Sequence, residues 1–457
     1  MKTDGRRVTS GLFVALALLL LPTQGTAQSE GPLEIFHGFT LIDGTGRPAL
    51  ADAAMVIQGD RIVEVGSRSA VAAEWMNEPG AISVDLGGGW VVPGLIDSHV
   101  HMATVPDRPS AERELRRMLY AGITAARDMA GDGRALASLA RDSRLGQIDA
   151  PDLYYSALMA GPSFLSDPRP QASAAGEVAG EVPWMQAITP ETDMIRAVAR
   201  AAGTSATGIK IYANLEPAEV RRITAEAHEQ NLRVWAHSMV FPTRPLDVVR
   251  ADVDVVSHVC RLAWEAMSDA PTEYHHTQLP EYDSFTEEAP VFTELFDEMR
   301  ERGTILDATL AMYARFDRQR LENPGNGPPV RCRTDFARRL VRRAHAEGIP
   351  IAAGTDFSTP PSVPYPALHD ELEELVGHGG LTAMDAIVSA TRVGAEVLGL
   401  SDRFGTLEAG KLVNFVLLDR DPVADIGNLR TVRAVWKNAA RFDRSDYPVQ
   451  AGDRSPG

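Results

Sequence analysis

Between residues 93 and 401, short apolar runs alternate with helix-like stretches. That alternation constrains the fold of this chain more than any other feature. Runs that read as strands fall at 94–99, 122–128, 153–157, 208–212, 233–237, 253–258, 304–309 and 349–356. Stretches of helical character, such as 217–230 and 334–347, lie between them. Strand–helix alternation of this extent predicts a parallel (β/α)8 TIM barrel. The flanking segments obey another rule. Apolar and polar residues alternate with period two at 61–66 and 82–86, and short apolar runs stand at 33–36 and 54–57. Half-buried strands have this pattern. Strand character returns at 414–418 and 431–436. The expected architecture is therefore α/β: a barrel over 93–401 and a small β-sandwich domain assembled from 28–92 and 402–457. Two stretches, 161–189 and 261–290, read as long loops after barrel strands, the usual place for lids and binding loops.

The first residues form a separate object. Lys2, Arg6 and Arg7 precede an apolar run over 11–21, and Gly25-Thr26-Ala27 follows with small residues. This order predicts a signal peptide over 1–27, a mature start near Gln28, and a periplasmic or secreted protein. The apolar run is shorter than the ~20 residues a spanning helix needs, so no membrane association is expected once it is removed. A formal net charge of −17 opposes binding to nucleic acid or anionic lipid. A homo-oligomer remains open. Cys260 and Cys332 are the two cysteines; one disulfide and two free buried thiols are both compatible with the sequence.

The chemistry is carried by where polar residues fall on the apolar runs. His99 ends the first run and His101 follows two residues later, so in extended chain both imidazoles face one side. Lys210 lies in the fourth run between Ile209 and Ile211; His237 ends the fifth, His258 the sixth and Asp356 the eighth. Taken singly, each has a plainer reading. A strand-end histidine is usually a hydrogen-bonded core residue, a lysine can reach out to solvent, and Gly354-Thr355-Asp356 can be a turn. Together they converge on the C-terminal mouth of one barrel, where active sites of this fold lie. A histidine-rich set with one carboxylate suits Zn²⁺ or a similar cation. His228, His345 and His378 read as solvated. For His275 and His276 an exposed loop and a substrate contact both stay open.

At these residues the chain resembles the amidohydrolase superfamily, in its imidazolonepropionase-like and Xaa-Pro dipeptidase-like branch. The resemblance runs through Pro93-Gly94-Leu95-Ile96-Asp97-Ser98-His99-Val100-His101, Gly122-Ile123-Thr124 with Arg127-Asp128, and Ile209-Lys210-Ile211-Tyr212. It continues through Val234-Trp235-Ala236-His237, Gly354-Thr355-Asp356 and Gly405-Thr406-Leu407-Glu408-Ala409-Gly410-Lys411. It implies two divalent cations, of which Zn²⁺ is the expected one. His99, His101 and Asp356 would hold one and His237 and His258 the other, with Lys210 carboxylated by CO₂ to bridge them. An unmodified ammonium beside two dications is strongly disfavoured. Asp356 is then expected to move the proton from the attacking water to the leaving amine of a small amide substrate, a dipeptide or an N-acyl amino acid. Tyr212 either reaches the oxyanion or a substrate carboxylate, or is a packed barrel aromatic. Two departures stand out: Ser257 where the family has Glu, and Val413-Asn414 where it has Ala-Asp. The competing readings are a single-metal deaminase, a cyclic-amide or lactone hydrolase, and a binding protein on an inactive barrel. Deaminases of this superfamily carry Glu three residues after the fifth-strand histidine; here that position is Val240. An inactive barrel would have lost ligands, and all six are present.

Overall fold

The structure, a computed structural model, describes Met1 and residues 31–75, 78–274 and 277–447. The expected signal segment, its cleavage point and the polar C-terminal tail lie outside the described residues, as do His275 and His276.

Both ends of the chain build one sheet. Leu33–Leu41, Leu50–Gln58, Arg61–Ser67, Ile82–Asp85 and Trp90–Pro93 come from before the barrel, and Phe415–Leu418, Val432–Lys437 and Ala440–Asp443 from after it. Leu33–Leu41 pairs antiparallel with Leu50–Gln58 along one edge. Along its other edge it meets Ile82–Asp85 first and then, at Thr40 and Leu41, Trp90–Pro93. That last strand carries the sheet on to Phe415–Leu418. Phe36 nevertheless lies 5.8 Å from Phe415 and 5.7 Å from Trp436, ring centre to ring centre, although its own strand pairs with neither of theirs. The expected sandwich is thus a single sheet folded over a shared apolar core. Trp90–Pro93 escaped the sequence reading because it is short and ends in proline, which cannot donate a ladder hydrogen bond.

The barrel strands are Leu95–Val100, Ile123–Asp128, Asp152–Ala160, Gly208–Ile211, Arg233–His237, Val255–Ser257, Ile305–Asp307 and Ile351–Ala352. From the first to the eighth, each pairs parallel with the next. The ring closes where Ser98 N donates to Ala353 O at 2.9 Å and Asp356 N to His99 O at 2.8 Å. The first two strands are buried at every residue, as a parallel sheet covered on both sides requires. The outer helices bury one stripe each; Pro217–Glu229 packs Val220, Ile223 and Ala227 inward.

The two long connections are more structured than expected. In 161–189, Asp167 caps the helix Pro168–Ala174 by accepting from Arg169 N. A hairpin of Glu181–Val182 and Met185–Ala187 then adds to the third barrel strand, with Met185 opposite Leu158. The second connection opens with the short helix Val259–Leu262. From that helix Cys260 forms a disulfide to Cys332, with the Cα atoms 5.7 Å apart.

Candidate metal centre

His99, His101, Lys210, Tyr212, His237, His258 and Asp356 all line one cavity of about 210 Å³ at the C-terminal mouth of the barrel. The barrel rule explains the convergence: each side chain sits at or just beyond the end of a different strand, apart from the first-strand pair and the residues on the fourth. His99, His258 and Asp356 bring ligand atoms within 4.8 Å of one another. His101 Nε2 stands 3.0 Å from Asp356 Oδ1, and His99 Nε2 is 3.5 Å from the same oxygen. His237 lies against His258 with ring centres 4.8 Å apart. His258 thus bridges the group around Asp356 to His237.

Hydrogen bonds behind the imidazoles fix which nitrogen faces the cavity. His99 Nδ1 donates to Asp307 Oδ2 at 2.7 Å, leaving Nε2 with its lone pair. His101 Nδ1 is 3.3 Å from Ala130 O, so its Nε2 is likewise free to act as a ligand. His258 Nδ1 meets Thr309 Oγ1 at 3.0 Å. Asp307 was not singled out in the sequence. Fully buried at the end of the seventh strand, its Oδ2 also accepts from Arg127 Nη2 at 2.9 Å and Ser257 Oγ at 2.8 Å. Ser257, the departure noted beside His258, therefore supports the carboxylate that orients His99. The available signal was a carboxylate closing an apolar strand.

The backbone conforms to the same end. His258 and Asp356 adopt φ of 76° and 55°, a left-handed region costly for side chains other than glycine and typical of functional sites. Gly354 permits the close approach of the first and seventh strands, since a Cβ there would collide with Asp307 Oδ1 and the Cβ of His99. On the eighth-strand side, Asp97 accepts from Thr355 Oγ1 at 2.9 Å and His99 N at 3.1 Å, holding the Gly-Thr-Asp segment in place.

Electrostatics prepare neutral nitrogen donors at His99, His237 and His258, whereas at His101 burial is outweighed by the hydrogen bond to Asp356 and the pKa rises. Burial lowers the His99 pKa against the pull of Asp307 and Asp356. Burial, reinforced by Lys210, puts His237 far below the usual range, and burial does the same to His258 despite Asp356. Burial opposes ionisation of Asp356, but His99, the His101 hydrogen bond and His258 outweigh it and hold the carboxyl strongly ionised. Lys210 is pushed down to about 7, first by burial and then by Arg127. Its Nζ and His237 Nδ1 are buried without a hydrogen-bond partner among the described residues. Orphaned buried polar atoms of this kind are rare in native proteins, and two in one cavity of imidazoles and a carboxylate fit a metal site. Tyr212 accepts from Arg169 Nη1 at 2.6 Å, which leaves its own hydroxyl proton free to donate, and its ring lies 4.0 Å from that of His237. Of the other histidines, His228 pairs with Asp254 at 3.0 Å, away from the cavity.

The chain is similar to several known proteins. The amidohydrolase family description matches residues 250–442. The chain is 26% identical over 421 residues to an imidazolonepropionase of Pseudomonas syringae pv. tomato, covering 83% of this chain and 90% of that protein. It is 27% identical over 434 residues to one of Mesorhizobium japonicum, covering 88% and 96%. Among solved structures it superposes on A. niger ochratoxinase with TM-score 0.71 at 24% identity, covering 91% of this chain and 96% of that one. A Xaa-Pro dipeptidase with methionine bound in its active site gives TM-score 0.69 at 20% identity, covering 90% and 100%. These matches agree with the resemblance to the amidohydrolase family and to hydrolases that act on carbon–nitrogen bonds.

Proposed function

We propose that the chain is an exported amidohydrolase that holds two divalent cations and cleaves the amide bond of a dipeptide or an N-acyl amino acid. The observation that carries this reading is the buried Lys210 Nζ, without a hydrogen-bond partner among the described residues, in one cavity with four histidines and Asp356. An amine brought to about 7 is partly neutral at physiological pH. It can therefore add to CO₂, lose a proton and become an anionic carbamate, a ligand that satisfies both its own burial and its neighbours.

His99, His101 and Asp356 would hold one cation, His237 and His258 the other, and the carbamate of Lys210 both. Such ions supply an activated water and polarise the scissile carbonyl. Asp356 accepts the proton of the attacking water and passes it to the leaving nitrogen. Tyr212, fixed by Arg169, donates to the developing oxyanion or to a substrate carboxylate. Export rests on the basic, apolar and small-residue order of the first residues, and the Cys260–Cys332 disulfide suits an oxidising compartment.

A single-metal hydrolase of cyclic amides is the second reading. It is favoured by the compact His99, His258 and Asp356 group and by the relatives named imidazolonepropionase. Metal analysis of the purified chain, with turnover of a dipeptide and N-acyl amino-acid panel, separates the two. Two ions per chain and release of free amino acid are expected. One ion, with activity confined to cyclic amides, would replace the first reading with the second.

A further inference from the structure

We infer that Arg331 is the residue that selects substrates bearing a free carboxylate, by receiving that group at the mouth of the metal cavity. This deepens the amide-cleavage reading above and rests on it. The chain as a whole is acidic, yet two arginines, Arg169 and Arg331, line the cavity, where Asp356 is the one side-chain carboxylate. A cavity of opposite sign to its protein favours anionic ligands over the rest of the surface.

The two arginines of the cavity differ in what they are free to do. Arg169 is committed: Nε and Nη2 bind the two oxygens of Asp167 at 3.0 and 3.1 Å, and Nη1 binds Tyr212. Arg331 has neither a hydrogen bond nor an acidic partner among the described residues; its guanidinium stacks on the Phe316 ring at 5.2 Å and stays exposed. The arginines close to it in sequence behave otherwise. Arg333 pairs with Asp283 at 2.5 Å, and Arg320 pairs with Asp317. An arginine that lines a cavity with its fork unoccupied offers two parallel donors, the geometry that matches a carboxylate.

The segment is also fixed in place. Cys332, the next residue, is tied by its disulfide to Cys260, two residues beyond His258. Arg331 is thereby held in register with the metal-facing end of the sixth strand. Met312 and Phe316, from the helix Leu310–Glu322, add apolar wall to the cavity, with Phe316 directly against Arg331. The substrate class that fits is an amide with its carbonyl at Asp356, an apolar side chain against Met312 and Phe316, and a carboxylate on Arg331.

The test compares N-acetyl-L-methionine and N-acetyl-L-phenylalanine with the same amides lacking the carboxylate, N-acetyl-3-(methylthio)propylamine and N-acetylphenethylamine. Wild-type enzyme, Arg331→Met and Arg331→Lys are assayed with metal. Methionine keeps the apolar stack on Phe316 and removes the charge. The expected result is a preference of wild type for the carboxylated set and a rise in KM of about 10- to 100-fold in Arg331→Met for that set, with kcat little changed. Arg331→Lys should restore part of the loss, and the set without carboxylate should respond to neither change. If wild type cleaves both sets alike and Arg331→Met leaves KM unchanged, the subsite is overturned while amide cleavage stands. If wild type cleaves neither set, amide cleavage of this class fails and the subsite with it.

Discussion

Two lysines are buried among the described residues, and they are treated in opposite ways. Lys437, at the end of a strand of the β-sheet domain, binds Asp152 at 2.8 Å, Ser143 Oγ at 3.0 Å and Ser143 O at 3.2 Å. Lys210, on the fourth barrel strand, has no hydrogen-bond partner for its Nζ among the described residues. The first is how a protein buries an ammonium at tolerable cost, with a counter-ion and its donors used. The second makes sense only if the group is not a plain ammonium. The contrast extends to the surroundings. The β-sheet domain is held by Phe36, Phe415 and Trp436 in mutual contact. The barrel mouth gathers imidazoles and a carboxylate on a backbone that includes left-handed His258 and Asp356. One region is built for stability and the other is poised for a ligand.

Replacing each lysine should break the comparison at opposite ends. Lys210→Ala is expected to lower metal content and nearly abolish turnover, with the fold retained in circular dichroism; full rate at full metal content would remove the bridge from the account. Asp356→Asn should cost about 10²–10⁴ in kcat, the usual contribution of proton transfer, with some metal loss because the same carboxylate is a ligand. Turnover close to wild type would take Asp356 out of the mechanism. Asp307→Asn touches no proposed ion but loosens His99, so metal affinity should fall about 10- to 100-fold while saturating metal restores much of the rate. An unchanged affinity would mean that Ser257 and Arg127 suffice to hold the site. Lys437→Met should leave kcat per folded molecule almost unchanged and cost about 3–5 kcal/mol of stability in chemical denaturation, since Asp152 loses its buried partner. A catalytic defect there would erase the distinction between the two regions.

What the sequence made legible follows from the same distinction. Apolar strands ending in His, Lys or Asp announce their position, because the fold gathers strand ends at one mouth. His99, Lys210, His237, His258 and Asp356 could be singled out for that reason. Asp307 ends its strand just as plainly, but its role depends on Arg127 and His99, 180 and 208 residues away, and such partners appear only once the barrel is closed. The helix after Asp167 was signalled by Asp167-Pro168, an N-cap followed by proline in the first turn, yet the Pro, Ala, Ser and Gly content around it suggested a loop. The folding-over of the β-sheet was not legible, because period-two patterning assigns faces to strands but says nothing of how a sheet curls.

Carboxylation of Lys210 can be read by ¹³C NMR of the metal-loaded chain after exchange with ¹³C-bicarbonate. A carbamate resonance is expected in wild type and absent from Lys210→Ala and from Lys210→Arg, whose guanidinium stays protonated and cannot take up CO₂. A fully metal-loaded, active wild type without that resonance would contradict the carboxylation.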